Sequence, residues 1–234
     1  MHLRRPVIFS LALAWLAAVP VMTKDSKEPW TQPYESWTQA ETARVLNDSP
    51  WAQVQTYSAE SPGGNQGVNE AHYQFTVRLF SAQPIRQAYV RMLEIMNNYD
   101  TLPAERRQEF DARVKGLLAA DVSIQVVVAL TFASNDAQAS RDMKRFFDTS
   151  TTGTLNQNAF LYAPRGRLDL QEYVPPGKDG MGARLIFARL QGGKPILEPG
   201  DKELRFEMDI PPIGQHLLVG FKVAKMAWQG GVSY

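Results

Sequence analysis

Glu203-Leu-Arg-Phe-Glu-Met-Asp-Ile210 sets Leu204, Phe206, Met208 and Ile210 at every second position, with Arg205, Glu207 and Asp209 between them. A period of two sends the apolar set to one face of a strand and the charged set to the other, the pattern of a half-buried antiparallel strand. Around this stretch, segments 155–163, 167–174, 183–190 and 217–225 read as further strands. Pro164-Arg-Gly166, Pro175-Pro-Gly177, Gly192-Gly193, Pro199-Gly200 and Pro211-Pro212 punctuate the gaps, and proline and glycine are the residues that turns demand.

Upstream, Tyr73, Phe75, Val77 and Leu79 alternate with His72, Gln74, Thr76 and Arg78, which predicts another half-buried strand, and 54–58 suggests a shorter one. Segment 122–132 is apolar and rich in β-branched residues, as expected of a central strand covered on both faces. Between these lie helical spacings: Ile85, Tyr89, Met92, Leu93 and Met96, then Phe110, Val114, Leu117 and Leu118 after Pro103, which suits a first helical turn. Their short connection predicts an antiparallel pair. Asn135 with Gln138 can cap a further helix that runs to about Phe147. Near the start, Thr38 with Glu41 forms a capping box, with Ser36 and Gln39 as a rival. Ala40, Ala43 and Leu46 share a face of that short helix, and Asn47-Asp-Ser-Pro50 stops it.

The expected fold is therefore α+β: an antiparallel, C-terminal-heavy β-sheet, with a sandwich as one form of closure, backed by a helical pair and one further helix. The division is an export segment over 1–23, a Trp-rich linker and short helix over 24–58 strapped to the body, and a single α+β domain over 59–234.

Residues 1–23 follow the plan of a secretory signal. Arg4 and Arg5 precede an uncharged stretch from Pro6 to Thr23 that is apolar at its centre, and Ala17, Ala18 and Thr23 are the small residues near a cleavage point. An uncleaved anchor is the rival, since about 17–18 residues is the lower limit of a span; Pro6 and Pro20 shorten the helix and favour cleavage. Either reading predicts an exported body, periplasmic or secreted, with membrane attachment only if residues 6–23 stay in place. The 234 residues carry 25 basic and 24 acidic side chains and no cysteine. Loss of Arg4 and Arg5 takes the net charge from +1 to −1, which argues against a nucleic-acid partner. Zero cysteine excludes disulfides, thiolate catalysis, thiolate metal sites and the lipidated cysteine of a lipoprotein.

No motif for chemistry emerges. His72 and His216 are the only histidines after the export segment, with no His-Glu-x-x-His spacing, so neither a metal nor another cofactor is expected. There is no Gly-x-Ser-x-Gly elbow. Gly177-Lys-Asp-Gly-Met-Gly182 lacks phosphate-loop spacing and leads into a strand, so it reads as a hairpin connection. Asp169 and Glu172 would face opposite ways on a strand unless a bulge intervenes. Two groups remain as candidate binding residues. Trp30, Trp37 and Trp51 surround one short helix; they form either an aromatic platform for sugars or a partner protein or buried anchors of an N-terminal strap. If the last strands form a meander, the 175–182 and 211–216 connections share a sheet end and bring Lys178, Asp179, Gln215 and His216 together.

Trp37-Thr-Gln-Ala-Glu41, Val45-Leu-Asn-Asp-Ser-Pro-Trp51, Gln171-Glu-Tyr-Val-Pro-Pro176 and Phe221-Lys-Val-Ala-Lys-Met226 resemble a group of exported bacterial proteins of uncharacterised function, whose N-terminal helix ends in Ser-Pro-Trp. The resemblance implies export and a shared fold, and carries no catalytic residue with it. The expectation is an exported, non-enzymatic envelope protein that binds a partner protein or an envelope component, a glycan included. The alternative is a cofactor-free envelope hydrolase using Asp/Glu and His216, and a third reading is a membrane-anchored structural subunit.

Overall fold

The computed structural model describes residues 28–61 and 69–234. Residues 1–23, which the sequence suggests are an export segment, lie outside them. Two short 3-10 turns, Pro29–Thr31 and Tyr34–Ser36, lead into α1 (Gln39–Asn47). β1 (Ala52–Ser61) and β2 (Asn69–Leu79) follow, then α2 (Gln83–Met96), α3 (Ala104–Leu118), β3 (Gln125–Ser134), α4 (Ala137–Thr149) and α5 (Thr152–Leu155). The remainder is β4 (Ala159–Ala163), β5 (Gly166–Val174), β6 (Ala183–Ala188), the two-residue pair β7 (Leu190–Gln191) and β8 (Lys194–Pro195), β9 (Glu203–Ile210), β10 (Gln215–Lys222), and a last small pair, β11 (Ala227–Trp228) and β12 (Gly231–Val232).

The eight long strands form one antiparallel order, β1-β2-β3-β6-β5-β4-β9-β10. The expected simple meander is thus corrected. β4, β5 and β6 are hairpin neighbours, but β9 pairs with β4 rather than with β6, whose free side is taken by β3. β5 makes the bend: its first half pairs with β4, and after an irregularity between Leu170 and Glu172 its second half pairs with β6. Bulges of this kind turn a sheet's corner. The sheet curls until its edges meet, and the Tyr57 hydroxyl on β1 donates to the His216 carbonyl on β10 at 2.8 Å. A nearly closed barrel leaves little edge to solvent.

The inward faces fill this barrel with Phe75, Val77, Leu130, Leu161, Phe187, Phe206, Val219 and Phe221, all buried. On β2 the outward positions split. His72 and Gln74 are exposed, whereas Thr76 is buried and Arg78 half-buried, because α1 and α2 cover that part of the barrel. Arg78 donates to the Leu46 carbonyl at 2.6 Å and to Asn47 Oδ1 at 2.9 Å. The buried stripe of α1 is Thr42, Val45 and Leu46, while Ala40 and Ala43 are exposed; the capping box at Thr38 and Glu41 is formed. α3 packs on α2 through Phe110 and Val114, which join Val90 in a second small cluster. Met96, expected on the apolar stripe of α2, is 70% exposed at the helix end.

Both barrel mouths are plugged. Taking the end at which β1, β3, β5 and β9 finish as the upper one, α4 packs on β3 and on the 3-10 turn Pro211–Ile213 after β9, and so crosses the upper mouth. Its buried residues Ala139, Met143 and Phe147 recur every fourth position and join the core. Its N-cap is Asp136, whose carboxylate accepts from the amides of Gln138 at 2.7 Å and Ala139 at 3.1 Å. The expected cap, Asn135, is used elsewhere: it accepts from the His72 amide at 2.7 Å and donates to the Glu70 carbonyl at 3.0 Å. Asp136→Ala is therefore expected to cost about 1 kcal/mol, measured by urea unfolding. At the lower mouth sits Trp51, edge-on to Trp30 with ring centroids 5.6 Å apart and to Trp228 at 6.2 Å.

Candidate binding groove

The three tryptophans are not a platform. Trp30 is 9% exposed, Trp37 1% and Trp51 0%. A sugar ring or a partner protein needs an accessible indole face, and these are spent on the core. The assignment of Trp30, Trp37 and Trp51 as binding residues is corrected to that of buried anchors. Trp51 Nε1 donates to the Ser233 carbonyl at 2.8 Å, and the Trp37 carbonyl accepts from Arg91 Nε at 2.9 Å, so the strap is tied to both the C-terminal segment and α2.

The loop candidates are not joined into one site by any bond among the described residues. Antiparallel pairing does put the 175–182 and 211–214 connections at the same end, two strands apart. Among the described residues, however, no hydrogen bond or ion pair joins Lys178 or Asp179 to Gln215 or His216. His216 Nδ1 lies 2.7 Å from Asp209 Oδ1, both side chains being about half exposed, and the His216 carbonyl holds the barrel seam. Gln215 pairs with Ile210 at the start of the last hairpin. Asp179 binds its own loop: Oδ1 accepts from the Met181 amide at 3.0 Å and Oδ2 from Arg184 Nη1 at 3.3 Å. The Tyr89 hydroxyl on α2 donates to the Asp179 carbonyl, and burial, with the neighbouring Asp179 charge, pushes the Tyr89 phenol up.

Of the four, Lys178 borders a cavity of substance. A groove of about 670 Å³ runs between β3, α4 and the 176–182 loop, with Leu130, Phe132, Met143 and Phe147 among its apolar walls and Lys144, Asp148 and Lys178 among its polar ones. Clefts of about 300–1,000 Å³, mostly apolar with a few placed polar groups, are the usual form of ligand sites. Lys144 pairs with Asp148 one helical turn on, while Lys178 is exposed and has no ion-pair partner among the described residues. A smaller cavity of about 250 Å³ lies beyond the loop, between Met181 and α2; Thr131 and Gly180 line both.

The groove exists because two strands have unequal lengths. The β3–β6 ladder ends at Leu130↔Ala183, yet β3 continues to Ser134, paired only with β2 on its other side. Gly182 sets where the loop departs. Its φ is +87°, and a Cβ there would stand 2.3 Å from the Leu130 carbonyl oxygen, so only glycine fits. Gly182→Ala is expected to cost about 1–3 kcal/mol and to loosen the loop, seen as a lower unfolding midpoint and faster amide exchange at Met181.

The residues considered for hydrolysis lie elsewhere. The β5 irregularity leaves both Asp169 and Glu172 on the exposed side, where Asp169 is 3.2 Å from Arg167; neither lines the groove. His72 is 3.1 Å from Ser58 Oγ on the exposed face. Among the described residues no three His, Asp or Glu side chains gather as a metal site would require, and no helix is long and apolar enough to cross a membrane.

The sequence reading missed the groove. Its one local signal was the Ala139, Met143 and Phe147 stripe on α4; the overhang of β3 depends on long-range pairing that spacing does not report. Comparison of the chain with protein-family models, curated proteins and solved structures finds no match.

Proposed function

We propose that this chain is an exported, non-enzymatic binding protein of the bacterial cell envelope, and that it holds a partner in the groove between α4 and the 176–182 loop. The observation that carries the reading is the groove itself: an apolar slot of about 670 Å³ at the barrel rim, next to an exposed lysine that has no acidic partner among the described residues. The charged-then-apolar start of the sequence supports export. The ionisable side chains singled out for hydrolysis are scattered over the exposed surface, whereas catalysis needs them converging in a cleft.

Site-specific photocrosslinking in intact cells tests the reading. A photoreactive residue replacing Ser140, which lines the groove, is expected to give a discrete adduct. One replacing Ala224, exposed beyond the opposite end of the barrel, is expected to give none. Equal labelling from both positions, or none from Ser140, removes the groove as the binding site.

A further inference from the structure

We propose, resting on that reading, that the groove's occupant is an extended peptide segment with a carboxylate, which adds as a strand to the free edge of β3. The main chain points to this. Successive residues of a strand direct their N–H and C=O groups to alternate neighbours. On β3 the odd positions bond toward β2: Val127 O accepts from the Phe80 amide at 2.7 Å. The even positions bond toward β6: Ile124 O accepts from the Arg189 amide at 2.9 Å, and Leu130 O faces Gly182. By the same alternation Phe132 and Ser134 direct their N–H and C=O groups into the gap, beyond the last paired residue of β6, and neither has a backbone partner on that side among the described residues.

A free strand edge inside an apolar slot is the recognition geometry of strand addition. Main-chain bonds supply affinity there, and pockets for alternate side chains supply selectivity. An acyl chain would fill the slot but leave the Phe132 N–H and C=O without partners, at the cost of desolvating them. A peptide strand satisfies both demands. Its apolar side chains would meet Met143 and Phe147, whose helix covers the slot, and Lys178 at the rim complements a side-chain or terminal carboxylate.

The test is selection from a phage-displayed library of random octapeptides on the purified protein, with laurate as the lipid probe. Enrichment of peptides that alternate apolar residues and carry Asp or Glu is expected. A synthetic binder should lose at least tenfold in affinity when its alternate amides are N-methylated, and at least tenfold on Lys178→Glu. It should protect the Phe132 amide from hydrogen exchange and fail on Ser140→Trp, which fills the slot from α4. Lys178→Glu changes an exposed loop side chain, so it keeps the fold if the Ser140 variant does not. Absence of enrichment overturns the proposal, as does a binder indifferent to N-methylation. If laurate occupies the groove and no peptide does, strand addition falls while the binding function stands. If groove-directed crosslinking also fails in cells, both fall.

Discussion

Trp51→Ala is expected to lower folding stability by about 3–5 kcal/mol, the cost of truncating a large aromatic in a packed core. The indole is fully buried. It meets Trp30 and Trp228 edge-on, so the N-terminal strap, the start of β1 and the C-terminal segment all converge on one ring. Its removal leaves a cavity at the lower barrel mouth and strips the Ser233 carbonyl of its donor. The main-chain bond from the Leu79 amide to the Trp51 carbonyl, 2.9 Å long, survives the substitution, so the loss reports the ring and its N–H. Trp51→Phe keeps an aromatic ring but gives up the N–H, and should lose less than the alanine variant. Equilibrium denaturation read by far-UV circular dichroism measures both. If Trp51→Ala leaves the midpoint in place, the strap does not stabilise the barrel and the tryptophans need another role.

Local pattern carried the strands well. Leu204, Phe206, Met208 and Ile210 are all buried, and the charged residues between them face outward or lie half-covered. A period of two survives any arrangement of neighbours, so this reading was independent of topology. Helix faces were less secure. α1 has nine residues, and both the alanines and the Thr42, Val45 and Leu46 set satisfy helical spacing; only docking against α2 and the barrel decides between them. The exchange of roles between Asn135 and Asp136 has the same origin. Either side chain can cap a helix, but the Glu70 carbonyl and the His72 amide, distant in sequence, claim Asn135. Strand order was beyond reach because the crossing from β6 to β9 is a long-range choice, and the groove depends on it. Lys178 was singled out through an assumed meander that would have set its loop beside 211–216, and its neighbours on α4 and β3 were not, since nothing local marks a strand that outruns its neighbour.

Arg91→Ala is expected to cost about 3–5 kcal/mol at neutral pH, the scale for breaking a buried ion pair from one side, and the loss should depend on pH in a defined sense. Arg91 Nη1 lies 2.8 Å from Glu94 Oε2, with side-chain exposures of 13% and 8%. The same guanidinium binds the Trp37 carbonyl, joining the strap to α2. Burial pushes the Glu94 carboxyl above its ordinary 4.5, against the downward pull of the hydrogen bond and charge of Arg91, with Glu35 and Asp100 adding upward. A raised folded-state value means that the folded protein holds the proton more tightly than the unfolded chain does. Stability therefore falls as pH rises from 4.5 through that raised value. Without Arg91 the raised value climbs further, so the window of falling stability widens toward neutral pH. The deficit of Arg91→Ala should accordingly be largest near pH 7.5 and shrink toward pH 5, as Glu94 takes up its proton. Glu94→Gln in the Arg91→Ala background removes the unpaired charge and should recover much of the loss, with a flatter pH profile. Urea titrations of the single and double variants at the two pH values measure this. A deficit equal at both would show that Arg91 stabilises chiefly through the Trp37 carbonyl and the strap, because that bond carries no titrating group.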